Sequence, residues 1–282
     1  MNLGPQQWIV NATIAKQLIE SGATIIDVRS KISWRFGHIP NASCVNWQQF
    51  SQKTPPYKGK LLEDAQVLEQ LLRQQSISNN KPVIVIGNPT HPLYFGEDGR
   101  IVWMLHTLGH SQAAFVDGGQ RALVKAGMAL ERWASKPKQA GDFQLNRVNN
   151  WEISTHDLQS KLANPQNLII IDSREPREYT GATPYGEKRG GHIPGAKHFY
   201  FKELLQPNGY LLTCEQIHYK LQQLGIKQGS TQETIIYCTG GIRSAFFVTV
   251  LVSLGYTNVK NYPGSMWEWS QAENYSYPLT NS

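Results

Sequence analysis

The chain contains one passage twice, and that repetition constrains its fold more than any other feature. Residues 24–47 read TIIDVRSKISWRFGHIPNASCVNW, and residues 168–201 read LIIIDSREPREYTGATPYGEKRGGHIPGAKHFYF. Both run from an apolar strand into Asp-x-Arg, cross a polar segment and reach Gly-His-Ile-Pro-x-Ala. The repeat pairs Asp27 with Asp172, Arg29 with Arg174, and His38 with His192. It continues downstream. KPVIVIGN matches ETIIYCTG as an apolar strand. WMLHTLGHSQAAFVDGG matches VTVLVSLGYTNVKNYPGS as a helix, a Leu-Gly stop, a short strand and a glycine turn. Gly109 and Gly255 stand where a helix end calls for a left-handed residue.

Each half therefore alternates strand and helix. Ile25-Ile26, Val83 to Ile86, Leu168 to Ile171 and Ile235 to Tyr237 lack period-two alternation, as strands of a parallel sheet buried on both faces do. EDAQVLEQLLRQQ and TCEQIHYKLQQLG read as covering helices. The fold class is α/β, with two domains of similar fold, each a mainly parallel sheet flanked by helices. The expected division is residues 1–132, a linker at 133–150 that is polar and weakly periodic, and residues 151–282.

The second half carries the chemistry. Its strand ends on Cys238, followed by Thr239, Gly240, Gly241, Ile242 and Arg243, and an apolar helix begins near Ser244. In an open α/β sheet, ligands bind beyond the carboxyl ends of the strands. A glycine-rich loop entering a helix turns successive backbone N–H groups into one hollow that suits an anion. Here the anion is the Cys238 sulfur. A helix N-terminus with a nearby cation, Arg243, lowers a thiol pKa from about 8.5 by one to several units. A thiolate so held is a nucleophile for covalent catalysis. The bland alternative is a small buried hydrophobe. Two glycines and an arginine directly after the cysteine weigh against it.

Composition narrows the partners. The cysteines are Cys44, Cys214 and Cys238, an odd and sparse set that argues against a disulfide framework and against zinc. The formal charge of +6 is spread rather than gathered in a stripe, so no nucleic-acid partner is expected. No apolar run approaches the ~18–20 residues that span a bilayer, and MNLGPQQWIV lacks the pattern of a secretory signal. These features point to the cytoplasm, with no membrane partner, no metal and no cofactor.

The duplicated Asp-x-Arg and Gly-His-Ile-Pro segments, the loop CTGGIR and the late YPGSMWEW together resemble the tandem-domain rhodaneses, the thiosulfate or 3-mercaptopyruvate sulfurtransferases. The resemblance spans nearly the whole chain. It implies that Cys238 attacks the sulfane sulfur of a small anionic donor, thiosulfate, and forms a persulfide. A thiol, cyanide or protein acceptor then takes the sulfur. It implies that the backbone N–H groups from Thr239 through Gly240, Gly241, Ile242 and Arg243 to Ser244 cradle the sulfur, much as an oxyanion hole does. Arg243 occupies the family's loop position for a cation, and its fork suits sulfonate oxygens. The mercaptopyruvate branch commonly ends its loop without an arginine, which favours thiosulfate here.

One departure from the family is visible. Its substrate arginine falls on Glu178, in REPREYTG, which turns the expectation toward Lys188 and Arg189 as substrate-binding cations. Asp172 and Arg174 read as a structural ion pair below the site, and His192 as fixing a turn. Trp267 and Trp269 read as packing. The first half has no cysteine where the repeat places Cys238, so it is expected to be catalytically silent. Cys44 reads as core. Thr213 with Gln216 fits a capping box, which puts Cys214 in a first helical turn. Two rivals remain. A cysteine phosphatase uses five residues between Cys and Arg, where this loop has four. A persulfide relay acting on a protein partner would use the same loop.

Overall fold

The structure is a computed structural model, and it describes residues 2–133, 139–271 and 276–281. The described chain divides into two compact units. One comprises Met1–Phe50, Leu62–Val148 and Gln206–Leu211. The other comprises Ser51–Leu61, Asn149–Leu205 and Leu212–Ser282.

The first unit holds β1 (Ile9–Val10), α1 (Ala12–Glu20), β2 (Thr24–Asp27), α2 (Lys31–Phe36), β3 (Ser43–Cys44), α3 (Ala65–Gln74), β4 (Val83–Ile86), α4 (Glu97–Thr107), β5 (Ala113–Val116) and α5 (Gly119–Lys125). Its strands lie in the order β1-β5-β4-β2-β3, every pair parallel. The second unit holds α6 (Thr155–Leu162), β6 (Leu168–Asp172), α7 (Pro176–Tyr179), β7 (Lys197–His198), α8 (Cys214–Gln223), β8 (Glu233–Tyr237), α9 (Ile242–Ser253), β9 (Val259–Asn261) and α10 (Ser265–Trp269). Its order is β7-β6-β8-β9, again all parallel. The two sheets repeat one plan. A Glu152–Asn261 bridge stands where β1 pairs with β5.

Burial explains the apolar runs. Every residue of β2 and β4 is buried, as are Thr234 to Tyr237 of β8. Strands covered on both faces have no solvent side to mark with polar residues. The helices begin where side chains can occupy orphan N–H groups. Asn11 caps α1, Asp64 caps α3, and Thr213 with Gln216 forms a reciprocal capping box on α8. The left-handed glycines Gly109 (φ 96°) and Gly255 (φ 87°) follow α4 and α9. These two helices are buried nearly all round, from Asp98 to Thr107 and from Ile242 to Val252. In each unit, this buried helix follows the central strand, so the strand's carboxyl end is tied to a rigid element.

Two features depart from a simple cut into halves. Residues 139–148, expected as linker, pack on the first unit. Gly141 N donates to Arg73 O (2.8 Å), Val148 N donates to Thr107 O (2.8 Å), and Phe143 is buried. The rest of that expected linker includes residues 134–138, which lie outside the described residues. The units also take short segments from the opposite half. Ser51–Leu61 closes an antiparallel bridge and belongs to the second unit, where Lys60 Nζ lies 3.3 Å from Glu268. Gln206–Leu211 belongs to the first, where Leu211 N donates to Asp117 (2.8 Å).

Candidate active site

The Asp-x-Arg and Gly-His-Ile-Pro motifs build the same foundation in both units. Asp172 and Arg174 are fully buried and paired, with Nη2 2.6 Å from Oδ2 and Nε 2.9 Å from Oδ1. Arg174 Nη2 also donates to Gly191 O (2.7 Å), which ties the pair to the turn before His192. His192 bonds Tyr179 O through Nδ1 (2.9 Å) and stacks on that tyrosine's ring at 3.6 Å. In the first unit, Asp27 and Arg29 pair at 2.6 Å, Arg29 reaches Gly37 O, and His38 stacks on Trp34 at 3.8 Å. These residues hold strand ends and turns in place, so they recur whether or not a thiol is present.

In the second unit this foundation bears on the end of β8. Tyr237 Oη donates to Asp172 Oδ2 (2.8 Å) and accepts from Ile193 N (3.1 Å). Cys238 follows directly. Its N–H donates to Ser265 Oγ (3.1 Å), and Ser265 Oγ donates to Tyr262 O (2.7 Å). The first turn of α10 closes over the loop from behind, with Met266 N donating to Cys238 O (3.1 Å) and Trp267 N to Thr239 O (2.8 Å).

Both loop glycines are required. Gly241 sits at φ +81° and precedes α9 without a side-chain cap. A Cβ there would lie 2.7 Å from Pro263 Cα, and one on Gly240 would overlap the Trp267 ring. Asn261 Nδ2 holds the loop from the sheet side by donating to Gly241 O (3.2 Å). The curl so imposed aims donors at sulfur. Gly241 N is 3.2 Å and Ser244 Oγ 3.5 Å from Cys238 Sγ. Burial pushes the Cys238 thiol up. The Arg243 charge and hydrogen bonds from the Ser244 hydroxyl, the Ser244 N–H and the Gly240 N–H outweigh it and bring the thiol below its ordinary value. Ile242 contributes its position at the helix start and is buried.

Arg243 has an unexpected partner. Its Nη1 donates to Glu178 Oε2 (2.6 Å), and its Nη2 donates to Glu178 Oε1 (2.8 Å) and to Thr239 Oγ1 (2.6 Å). Thr239 Oγ1 lies 2.8 Å from Glu178 Oε1 and 3.2 Å from Glu187 Oε1. Glu178, Glu187, Thr239 and Arg243 are all buried. Burial would raise the Glu178 carboxyl, but Arg243, Thr239 and the Glu175 N–H hold it below its ordinary value. The fork expected to receive a sulfonate is thus engaged by a carboxylate.

The other expected cations go elsewhere. Arg189 donates to the carbonyls of Trp269 and Ser270 at the end of α10, and to that of Tyr277, at 2.9–3.1 Å. Lys188 is exposed, and its main-chain N–H bonds Ser270 Oγ. Trp267 packs on Gly240 and donates Nε1 to Tyr185 O (3.0 Å), while Trp269 is core. Among the described residues, no group of three or more His, Cys, Asp or Glu side chains could hold a metal ion. Sequence reasoning had not picked out Glu187, Asn261 and Ser265 for the site. The Ser265 backbone, at φ +49°, has no signature in sequence. Glu175 and Glu178 form a capping box on α7, and nothing local in the sequence signals the contact of Glu178 with Arg243.

The first unit has a different construction at the corresponding strand end. Gly96 (φ 82°) precedes α4 as Gly241 precedes α9, which puts Asp98 where Arg243 stands. Asp98 accepts from Tyr94 Oη (2.6 Å) and Gly99 N (2.8 Å), and burial pushes its pKa up to about 6. A cavity of about 540 Å³ is lined by Tyr94 and Glu97 of this segment, with Arg29, Lys31, Cys44, Asn88 and His91 among others. Burial and Asp27 raise the Cys44 thiol.

Comparison with known proteins bears on this arrangement. The model of the rhodanese-like domain matches twice, over residues 11–126 and 154–272. A thiosulfate sulfurtransferase of Pseudomonas aeruginosa is 31% identical over 245 residues, covering 87% of each chain. A probable 3-mercaptopyruvate sulfurtransferase of the same organism is 26% identical, covering 93% of this chain and 94% of its own. The crystal structure of Tum1 from Saccharomyces cerevisiae superposes with a TM-score of 0.82 at 16% identity, covering 99% of both chains. Two parallel sheets of one plan, with a cysteine loop at the end of a central strand, agree with these matches. The chain belongs to the rhodanese family, with two rhodanese-like domains in tandem.

Proposed function

We propose that this protein is a sulfurtransferase in which Cys238 takes the sulfane sulfur of thiosulfate and passes it to a thiol, cyanide or protein acceptor. One observation carries the reading: Cys238 Sγ lies at a strand end, facing Gly241 N at 3.2 Å and Ser244 Oγ at 3.5 Å, with its thiol lowered. In the first half-reaction the thiolate attacks the outer sulfur, the S–S bond of thiosulfate breaks, and its electron pair leaves with sulfite. In the second, a nucleophilic acceptor attacks the terminal persulfide sulfur and returns the Cys238 thiolate. The amide ring stabilises the anionic sulfur in both. The relative named for thiosulfate supports the donor. Residues 151–282 carry the chemistry and residues 1–132 are silent. No helix among the described residues is long and apolar enough to cross a membrane, in keeping with a cytoplasmic enzyme.

A donor with one carboxylate, 3-mercaptopyruvate, is the second reading. The Glu178 clamp on Arg243 favours it, because a clamped cation offers less to a dianion.

Mass spectrometry after thiosulfate treatment tests the reading. One added sulfur on the Cys238 peptide is expected, and Cys238→Ser should abolish sulfur transfer with the fold intact. Sulfur on Cys214 or Cys44 instead would overturn it.

A further inference from the structure

We propose that Glu178 tempers the response of the Cys238 loop to donor charge: thiosulfate is still accepted, but its advantage over a singly charged donor is smaller than the loop would give without this carboxylate. This rests on the reading of Cys238 as the sulfur-carrying nucleophile. The loop supplies one cation from its own residues, Arg243, and Glu178 grips both of its terminal nitrogens, at 2.6 and 2.8 Å. Thr239 Oγ1 joins the same group and lies 3.2 Å from a second carboxylate, Glu187. The formal charges gathered there are a thiolate, a guanidinium and two carboxylates, and the three acids outnumber the base. Asp172 and Arg174 below cancel one another. The carboxylates are buried, so water screens them little. An arriving donor meets this surplus in proportion to its own charge. The hydrogen-bond donors around the sulfur attract either donor and are the same in the wild type and in a Glu178 variant, so a change in preference reports the carboxylate.

The contrast between thiosulfate and methanethiosulfonate isolates this effect. Each presents a terminal sulfane sulfur on a sulfonyl group, but the first carries two negative charges and the second one. The reaction is the same. The Cys238 thiolate attacks the sulfane sulfur and the donor S–S bond breaks. Its electron pair leaves with sulfite or with methanesulfinate, and Cys238 keeps an anionic persulfide.

Glu178→Gln removes one charge while keeping an acceptor for Arg243 and for the Glu175 N–H that Glu178 caps at 3.0 Å. The measurement is kcat/KM for loading Cys238 from each donor, in the wild type and in the variant. The ratio of thiosulfate to methanethiosulfonate should rise about tenfold in Glu178→Gln, the scale of one unit-charge pair ~10 Å apart at the effective dielectric of a protein site. Glu187→Gln, which leaves the grip on Arg243 in place, should move the ratio the same way by less. It keeps the test open should Glu178→Gln fail to fold. A structural role alone would lower both donors together. An unchanged ratio, or an equal loss with both donors, overturns the proposal. Absence of sulfur on Cys238 from either donor overturns the sulfurtransferase reading and this proposal with it.

Discussion

Replacing Arg243 with glutamine should reverse the way this region responds to acid. In the wild type, Glu178 is fully buried and bonded to both terminal nitrogens of Arg243. Breaking a buried pair by removing one partner leaves the other charge uncompensated, at a cost of about 3–5 kcal/mol. The sign with pH follows from Glu178. Burial acts to raise its pKa and Arg243 is the foremost influence that lowers it, for a net value below the ordinary 4.5. A depressed carboxyl contributes stability above its unfolded value, and loses that contribution as pH falls through the folded value. Without Arg243, burial prevails and the folded pKa rises above 4.5. The contribution then has the opposite sign: it is present below the unfolded value and lost as pH rises through the folded one. The stability deficit of Arg243→Gln should therefore be greatest near neutral pH and narrow toward about pH 4. Urea unfolding followed by circular dichroism across that range measures it. Adding Glu178→Gln should recover part of the neutral-pH loss, because no charge is then left unpaired. A deficit that stays constant with pH, or a double variant that loses the sum of both single losses, would refute a buried charge at Glu178.

Two further outcomes are expected. Gly240→Ala forces a methyl into the Trp267 ring, which is held by its bond to Tyr185 O, so overpacking should cost about 1–3 kcal/mol. It should also raise the pH at which Cys238 is alkylated, and an unchanged alkylation profile would mean that the curl does not hold the thiolate. In the first unit, the Asp98 pKa of about 6 against an ordinary 3.8 favours the protonated fold. That contribution is present below 3.8 and fades as pH rises through about 6. Asp98→Asn should remove a slope on the order of 3 kcal/mol across this window in urea unfolding, and a slope that persists would place the proton elsewhere.

The legible part of the molecule was carried by short-range pattern. Ile25-Ile26 and Val83 to Ile86 announced strands covered on both faces, because such strands admit no polar alternation. Thr213 and Gln216 announced the start of α8, because a capping box is complete within four residues. Gly240 and Gly241 after Cys238 announced a curled loop entering a helix, which the structure starts at Ile242 rather than near Ser244. Arg189 was misleading. It lies near the Gly-His-Ile-Pro motif in the chain, yet its donors serve the carbonyls of Trp269 and Ser270 at the end of α10 and that of Tyr277. Nothing local distinguishes an arginine facing a ligand from one satisfying a distant backbone.

The sequence by itself determined a duplicated α/β architecture and one cysteine at the carboxyl end of a strand with glycines behind it, since periodicity, turn chemistry and repetition act between near neighbours. Only the tertiary structure decided the partner of Arg243, 65 residues away at Glu178, and the unit to which Ser51–Leu61 belongs. Those depend on which buried groups meet, and a buried charge takes whatever counter-ion the packing brings within hydrogen-bond reach.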